Sequence, residues 1–376
     1  MTGEPVSQKP VFGIKFRILA PFLFFPALFL LASSFTYKVA LPGRKISFPR
    51  DHFSHPDFKT EWWYYTGHLD TENGKSYGYQ VTFFRFGLRD RQSEEKDQPP
   101  LFTDFYMAHF ALSDIAQKKF FFRERSNRGY GGIAGSSVDR YLVWNEDWKV
   151  EGRGKDHFID VSDREASLKL RLTMLKPPVL QGQNGLSQKG EGEGRASYYY
   201  SLTRLKTEGE LVVGGRKGNV HGLSWMDHEF GSNLLRDDQI GWDWFSIQLD
   251  NNTEIMLYLI RRRDGSPDPY SSGTFVHQNG STRHIPFDQF RIEVLDKWKS
   301  VKSGANYPMK WRITIPADEA ELEIAPLFRE QELVTDKSTR VSYWEGAVKI
   351  SGTYGKKPIR GVGYVEMTGY AGKLKL

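Results

Sequence analysis

The sequence contains no cysteine among its 376 residues. Disulfide bonds, thiolate nucleophiles, thiolate metal sites and a lipid-modified N-terminal cysteine are therefore all excluded. It also contains no GxSxG turn and no HExxH run, which argues against an ordinary serine hydrolase or zinc protease. The net charge is +6, but the basic residues are spread along the chain without an arginine-rich arm. We therefore predict no nucleic-acid partner.

Aromatic residues are abundant, at 14% of the chain, whereas no long amphipathic helical pattern follows residue 40. Short segments typical of strands recur, for example Glu61–Leu69, Tyr77–Phe86 and Ala166–Leu175. Asn73–Gly74, between the first two, is a strong hairpin signal. Regularly spaced aromatic strands predict an all-β fold of the sandwich or barrel type. The Gly- and Lys-rich stretch Lys176–Ala196 is predicted to be a long loop, functional or mobile.

The two halves of the chain share the same plan. When they are overlaid, the aromatic strand at Trp62 meets the one at Trp242, and each is followed by a turn and an apolar strand. Near the ends of the halves, GLSWMD at Gly222–Asp227 resembles GVGYVE at Gly361–Glu366. Matched beginnings and matched ends in the same order predict an internal duplication.

The N-terminal region carries an uncharged apolar stretch, Ile18–Tyr37, after a segment with three basic residues. A helix of that length spans roughly 30 Å, the thickness of a bilayer core. The basic residues predict that residues 1–17 stay in the cytoplasm while the folded body lies outside it, periplasmic or anchored in the inner membrane. Two interpretations stay open: a signal peptide cleaved near Ala32–Ser34, or an uncleaved membrane anchor.

The stretch Val220–Phe245 combines carboxyl groups and an imidazole with three tryptophans. Aromatic walls lower the local dielectric, so a carboxyl group among them stays protonated closer to neutral pH. On a strand, Asp227 shares a face with Trp225, whereas Asp243 faces away from Trp242. Asp227 is therefore the stronger acid candidate, although a buried carboxylate paired with an arginine is the alternative. The candidate catalytic residues are Asp227, His228, Glu229 and Asp243.

The two residues after Asp227, His228 and Glu229, would orient or deprotonate water, or else stabilise a turn. Three adjacent residues of a strand cannot all face one ion, so we predict no metal site there. His52 and His55 have a spacing found among metal ligands, but the neighbouring proline and aspartates favour a turn.

Three long motifs resemble one known family. FPRDHFSHPDFKTEWWYYTGHL from Phe48, the segment Val179–Leu205, and HGLSWMDHEFGSNLL with the later GWDWFSIQLD are similar to the AttH and carotenoid 1,2-hydratase (CrtC-like) superfamily. The resemblance spans roughly Phe48–Tyr370. It implies an exported protein with two lipocalin-like antiparallel β-barrels, which we place at residues 48–235 and 236–376.

The activity that the resemblance implies is less definite, because the superfamily contains hydratases, cyclising enzymes and uncharacterised proteins. Carotenoid hydratase chemistry protonates a carbon–carbon double bond and captures the cation with water, without a cofactor. It needs a protonated carboxyl group, aromatic faces and a base that positions water. We therefore expect a hydrophobic small-molecule ligand and keep two alternatives, a cofactor-free hydratase and a non-catalytic carrier. The predicted ligand-binding residues are Glu61, Trp62, Tyr64, Arg85, His109, Trp225, Trp242 and Trp244.

Overall fold

Antiparallel strands make up almost all of the regular structure. The structure, a computed structural model, describes residues 1–3, 37–88, 103–233 and 235–372. In this part of the chain, helical structure is confined to short 3₁₀ turns. Aromatic and β-branched residues favour the pleated, half-buried surface of a sheet, which accounts for this outcome. The all-β prediction is confirmed.

The N-terminal apolar stretch Ile18–Tyr37 lies outside the described residues, apart from Tyr37. Within the described residues, no helix is both long enough and apolar enough to cross a bilayer. The signal-peptide and anchor interpretations therefore stay predictions.

Among the described residues, the first sheet contains thirteen strands. In chain order they are β1 (Thr60–Thr71), β2 (Ser76–Gly87), β3 (Asp104–Asp114), β4 (Lys119–Arg128), β5 (Ala134–Ser136), β6 (Leu142–Asn145), β7 (Trp148–Arg153), β8 (Asp156–Ser162), β9 (Ala166–Met174), β10 (Val179–Leu180), β11 (Leu186–Gln188), β12 (Ala196–Val213) and β13 (Arg216–Gly231). Their order in the sheet is β4–β3–β2–β1–β13–β12–β9–β8–β7–β6–β5, with β10 and β11 also paired to β12. Side chains join the two ends of the sheet, since the hydroxyls of Tyr106 on β3 and Ser136 on β5 lie 3.1 Å apart. The sheet is a nearly closed barrel.

The second sheet contains ten strands in the described part of the chain. In chain order they are β14 (Gln239–Leu249), β15 (Glu254–Arg262), β16 (Ser272–Val276), β17 (Thr282–Pro286), β18 (Arg291–Lys299), β19 (Asn306–Ile315), β20 (Ala320–Pro326), β21 (Glu332–Leu333), β22 (Tyr343–Tyr354) and β23 (Lys357–Met367). Their order is β17–β16–β15–β14–β23–β22–β20–β19–β18, with β21 paired to β22. This sheet forms a half-barrel, so the fold is lipocalin-like with one barrel more open than the other.

Both sheets share one connectivity around their first strand. β1 pairs with β2 and β13, and β14 pairs with β15 and β23. In this register Tyr64 lies opposite Asp227 in the first sheet, and Trp244 lies opposite Glu366 in the second. Equivalent positions of the two halves therefore have equivalent strand partners, as the predicted duplication requires.

Strand alternation gives each sheet two hydrophobic faces. On β1, Trp63 packs inside the first barrel, whereas the adjacent Tyr64 packs towards the second sheet. On β14, Phe245 packs inside the half-barrel and Trp244 packs towards the first sheet. Successive side chains of a strand point to opposite faces. Each aromatic run therefore contributes some side chains to the core of its own barrel and the others to the interface between the two sheets.

Polar contacts also join the two sheets. The buried carboxylate of Glu254 on β15 pairs with the Lys176 ammonium at 2.8 Å and with the Arg204 guanidinium at 2.5 Å. The Gln248 side-chain amide on β14 donates to the Thr203 carbonyl oxygen at 2.8 Å. These contacts hold the two sheets, and the interface between them, in one fixed arrangement.

Candidate active site

A cavity lies between the two sheets, at the interface built by the outward faces of β1 and β14. The space free of protein atoms in it, with the open mouth included, amounts to about 840 Å³. Its aromatic lining consists of Trp62, Tyr64, Phe84, Tyr199, Trp242, Trp244, Tyr258 and Tyr343. Its ionisable lining consists of Lys189, Asp227, Glu229, Glu345 and Glu366.

Asp227 on β13 receives three hydrogen-bond donors. The Tyr199 hydroxyl lies 2.8 Å from Oδ2, whereas the Ser201 hydroxyl at 2.5 Å and the Trp225 indole N–H at 2.7 Å donate to Oδ1. The Trp244 indole N–H donates to the Tyr199 oxygen at 3.1 Å. Because an indole N–H only donates, Oδ1 is fixed as an acceptor. Oδ2, beside a hydroxyl that also accepts, is the oxygen that carries the proton when Asp227 is neutral.

The charge state of Asp227 is set mainly by its burial. Burial raises the pKa of Asp227 from 3.8 to about 7, although the hydrogen bonds from Ser201, Tyr199 and Trp225 act in the opposite direction. A carboxyl group with such a pKa is protonated in roughly half of the molecules at neutral pH and recovers its proton readily. Asp227 is therefore suited to act as a general acid.

Glu229 and Lys189 form an ion pair at the cavity wall. Glu229 stands two residues beyond Asp227 on the same face of β13, and the Lys189 ammonium lies 3.2 Å from its Oε1. The Ser197 hydroxyl donates to the same oxygen. The Lys189 nitrogen lies 4.4 Å from the centre of the Tyr258 ring. Burial lowers the pKa of Lys189, but Glu229, together with Tyr258 and Asp227, raises it overall, so the lysine stays charged.

Two further carboxyl groups, Glu345 and Glu366, lie directly opposite each other on β22 and β23. The Trp242 indole N–H donates to Glu366 Oε2 at 3.1 Å. Neither carboxyl oxygen of Glu345 has a hydrogen-bond partner of normal geometry among the described residues, although the residue is only 1% exposed. Burial raises the pKa of Glu366 to about 7. Burial and the neighbouring Glu366 charge raise the pKa of Glu345 well above its usual range.

The structure brings half of the predicted residues together at this cavity. Those that line it are Trp62, Tyr64, Asp227, Glu229, Trp242 and Trp244. Trp225 stands behind Asp227 as its hydrogen-bond donor. The alternation argument correctly separated Asp227 from Asp243, because Asp243 lies on the other face of β14.

Three predicted residues lie instead inside the first barrel, in a buried polar cluster. His228 follows Asp227 on β13, so alternation turns it away from the cavity, and its Nε2 lies 2.9 Å from Glu61 Oε1. The His55 Nδ1 lies 2.8 Å from the same oxygen, and the Arg85 Nε lies 3.2 Å from Oε2. Burial acts to raise the pKa of Glu61, but the hydrogen bonds from His228 and His55 hold it well below its usual range.

The same cluster resembles a metal-ligand set in composition, because ligand atoms of His55, Glu61 and His228 lie within 4.8 Å of one another. Each of these atoms, however, already makes a hydrogen bond inside the cluster. The second nitrogen of His55 lies 2.9 Å from Asp51 Oδ1, and Arg85 adds a positive charge. Buried ionisable groups paired in this way are typical of a structural network.

The last two predicted residues, Asp243 and His109, also lie outside the cavity. Asp243 Oδ1 lies 3.0 Å from the Arg261 Nε, and the Tyr370 hydroxyl donates to its Oδ2 at 2.9 Å. Burial raises the pKa of Asp243 despite this pairing. The His109 Nδ1 lies 2.7 Å from the hydroxyl of Tyr343, so His109 stands one residue behind the cavity wall.

Sequence reasoning missed several cavity residues. The overlay of GLSWMD on GVGYVE matches Asp227 with Glu366, a signal that could have identified the second acid. Lys189 carried no comparable signal, because it lies in the stretch Lys176–Ala196 that was predicted to be a loop. That stretch contains β10 and β11, which hold it against β12 and bring Lys189 to the wall. The missed residues are Thr82, Phe84, Lys189, Tyr199, Leu235, Tyr258, Ile260, Tyr343, Glu345 and Glu366.

The raised pKa of Glu366 predicts a pH-dependent effect of the Glu366→Gln substitution. In the unfolded chain a glutamic acid ionises near 4.5, whereas in the fold it holds its proton to about pH 7. The native carboxyl therefore destabilises the fold increasingly from pH 4.5 to 7 and fully above pH 7. Because Glu366 is half-buried, we expect Glu366→Gln to raise the free energy of unfolding by about 2 kcal/mol at pH 8, with little change at pH 4.

Urea denaturation of both proteins at the two pH values measures this difference. The glutamine oxygen still accepts from the Trp242 indole, so the substitution removes the ionisation and keeps the hydrogen bond. Glu319→Gln, at an exposed turn, is the control and is expected to show no such pH dependence. An equal effect at pH 4 and pH 8 would contradict the assignment.

Comparison with known proteins agrees with this architecture. The AttH-like family matches residues 39–370. The crystal structure of a putative AttH from Nitrosomonas europaea is 34% identical, with a TM-score of 0.79, over 89% of this chain and 99% of that one. The structure of kievitone hydratase from Nectria haematococca is 16% identical, with a TM-score of 0.67, over 90% of this chain and 99% of that one, a likeness of fold.

A sequence relationship to a hydratase covers a shorter region. Kievitone hydratase of Fusarium solani subsp. phaseoli is 22% identical over 176 residues. The matched region spans 46% of this chain and about half, 49%, of that protein. The family match covers most of the chain, and it places both sheets and the whole cavity inside one family unit. This chain belongs to the AttH-like family.

Proposed function

We propose that this protein is a cofactor-free hydratase that adds water across a carbon–carbon double bond of a hydrophobic small molecule. The observation that carries the proposal is Asp227, a buried carboxyl group with a pKa of about 7 at the wall of an aromatic cavity. The hydratase relationship reported above supports the same class of reaction.

In the proposed reaction, neutral Asp227 donates the proton on Oδ2 to one alkene carbon. The π electron pair forms the new C–H bond, and the other carbon becomes a cation. Electron-rich aromatic faces stabilise such a cation, and Trp242 and Trp244 line the same cavity. The Tyr199 hydroxyl then hydrogen-bonds the newly formed Asp227 carboxylate.

Glu229, the next residue on the same face of β13 as Asp227, positions the water that completes the proposed reaction. Residues two apart on a strand are about 7 Å from each other, which leaves room for one water between Asp227 and Glu229. The water oxygen bonds to the cationic carbon while Glu229 accepts a water proton, so the net change is addition of one H₂O. Lys189 holds the Glu229 carboxylate in place at 3.2 Å. Exchange with solvent then returns a proton to Asp227 and removes one from Glu229.

A labelled-water assay tests the proposal. The purified protein is incubated in H₂¹⁸O with farnesol, an apolar molecule with isolated double bonds, and with geranylacetone as a second substrate. We expect mass spectrometry to show products that have gained one labelled water, at a rate that scales with protein concentration. Because the acid must be protonated, kcat is expected to fall as pH rises above about 7. Bound ligand with no labelled product from any alkene tested would favour a carrier instead.

A further inference from the structure

At the end of the cavity formed by β1 and β22, two buried polar groups make no hydrogen bond of normal geometry with the described residues. These are the Tyr64 hydroxyl and the Glu345 carboxyl. Burial raises the pKa of Tyr64, and the Glu345 carboxyl lies close enough to raise it further, but not in a geometry that satisfies either group. Tyr64 is 7% exposed and Glu345 is 1% exposed, and both side chains line the cavity. Asp227, by contrast, has a donor on each of its oxygens.

Unsatisfied groups of this kind are costly to a fold. A buried polar group without a partner destabilises a protein by about 1–3 kcal/mol, and native proteins leave few of them. The two residues stand on different sheets and still face the same space, which argues against an accident of local packing. A polar atom of the ligand that fills the cavity would satisfy both.

We propose that the cavity recognises a neutral oxygen of its ligand, a carbonyl oxygen above all, through donation from Tyr64 and Glu345. The inference rests on the proposed function only in taking this cavity as the ligand site. A phenol hydroxyl donates, and a neutral carboxylic acid donates one proton as well. A carbonyl oxygen has two lone pairs and accepts both. The ligand is then an oxygenated apolar molecule, and a pure hydrocarbon fits the site less well.

The charges around the cavity restrict the ligand further. Four carboxyl groups and one lysine line it, and the lysine is paired with Glu229. Among the described lining residues, no free cation stands beside Glu345 and Glu366 to meet an anionic ligand. A cationic ligand would need an ionised Glu345 beside it, and burial raises the pKa of that carboxyl well above its usual range. A ligand that presents a neutral oxygen neither repels these carboxyl groups nor requires them to ionise.

Equilibrium binding of three probes on one carbon skeleton tests the inference: farnesal with a carbonyl group, the hydrocarbon farnesene, and farnesylamine as a cation. Titration followed by tryptophan fluorescence uses the indoles of Trp62, Trp242 and Trp244 at the cavity wall. We expect farnesal to bind at least about tenfold more tightly than farnesene, the ratio given by roughly 1.4 kcal/mol of net hydrogen bonding.

The variants assign this preference to the two residues. Glu345→Leu and Tyr64→Phe are each expected to reduce the farnesal-to-farnesene ratio to about twofold or threefold. Glu345→Gln is expected to keep most of it, because the amide still donates. The exposed Tyr130→Phe is the control and should leave the ratio unchanged. If Glu345→Leu does not fold, Tyr64→Phe alone decides the matter.

Equal binding of farnesal and farnesene by the parental protein, or an unchanged ratio in Tyr64→Phe, overturns the inference, as does tightest binding of farnesylamine. None of these titrations measures turnover. The preference can therefore be present in a protein that hydrates nothing, and it can be absent from an active hydratase.

Discussion

The Asp227→Asn variant is expected to bind its ligand nearly as well as the parental protein and to lose almost all turnover. An amide cannot supply the proton that starts the proposed reaction, and a general acid contributes about 10²–10⁴-fold to a rate. We expect kcat to fall by that factor. The dissociation constant, measured by the same fluorescence titration, should change by less than about threefold.

The fold is expected to tolerate this change because the amide reproduces the contacts of the carboxyl group. The amide oxygen accepts from Trp225 and Ser201, as Oδ1 does now. The amide nitrogen donates to the Tyr199 hydroxyl, which accepts as readily as it donates. Asp139→Asn, at an exposed position, is the matched control and should leave kcat unchanged. Turnover at the parental rate in Asp227→Asn would show that another group, Glu366 first among them, donates the proton.

The Arg85→Met variant is expected to be the most destabilised of the proteins proposed. Arg85 is completely buried and its guanidinium binds Asp104 Oδ1 at 2.7 Å and Glu61 Oε2 at 3.2 Å. It also donates to the His55 carbonyl oxygen at 3.0 Å. Methionine removes the guanidinium that binds these two buried carboxylates. Removal of one partner from a buried ion pair costs about 3–5 kcal/mol, and we expect the free energy of unfolding to fall by that amount.

Urea denaturation followed by circular dichroism measures this loss. Arg171→Met provides the control, since Arg171 pairs with Asp156 at 2.7 Å but its side chain is 56% exposed. Exposed pairs contribute little, so the urea midpoint of the control should match the parental protein. If Arg85→Met also matched it, the polar cluster of the first barrel would not be a stabilising element.

Much of the fold was readable in the sequence because strand signals are local. The Asn73–Gly74 turn and the flanking aromatic runs predicted the β1–β2 hairpin, which the structure shows as antiparallel pairing of Trp62 with Phe84. Aromatic runs that repeat in both halves predicted two sheets of one plan. Turn type and side-chain alternation depend on neighbours in the chain, so one sequence suffices to detect them.

Only part of the candidate site could be predicted from the sequence, and side-chain alternation shows where the prediction stopped. Alternation correctly grouped Asp227 with Trp225 and set Asp243 apart. Applied to the next residue, it also turns His228 to the opposite face, so the prediction of His228 as a catalytic residue beside Asp227 is inconsistent with it. Glu345 is absent from the predicted residues, because its importance depends on its burial without a hydrogen bond of normal geometry and on Glu366 across the strand pair.

The sequence by itself determined the strands, the repeated plan, the family resemblance and the face on which Asp227 stands, since these depend on residue type and spacing along the chain. The tertiary structure decided which residues meet. It enclosed the outward faces of β1 and β14 in one cavity, carried Lys189 to its wall, and placed His228, Glu61 and Arg85 in a separate cluster. It also set the pKa of Asp227, because burial between two sheets depends on chain segments far apart in sequence.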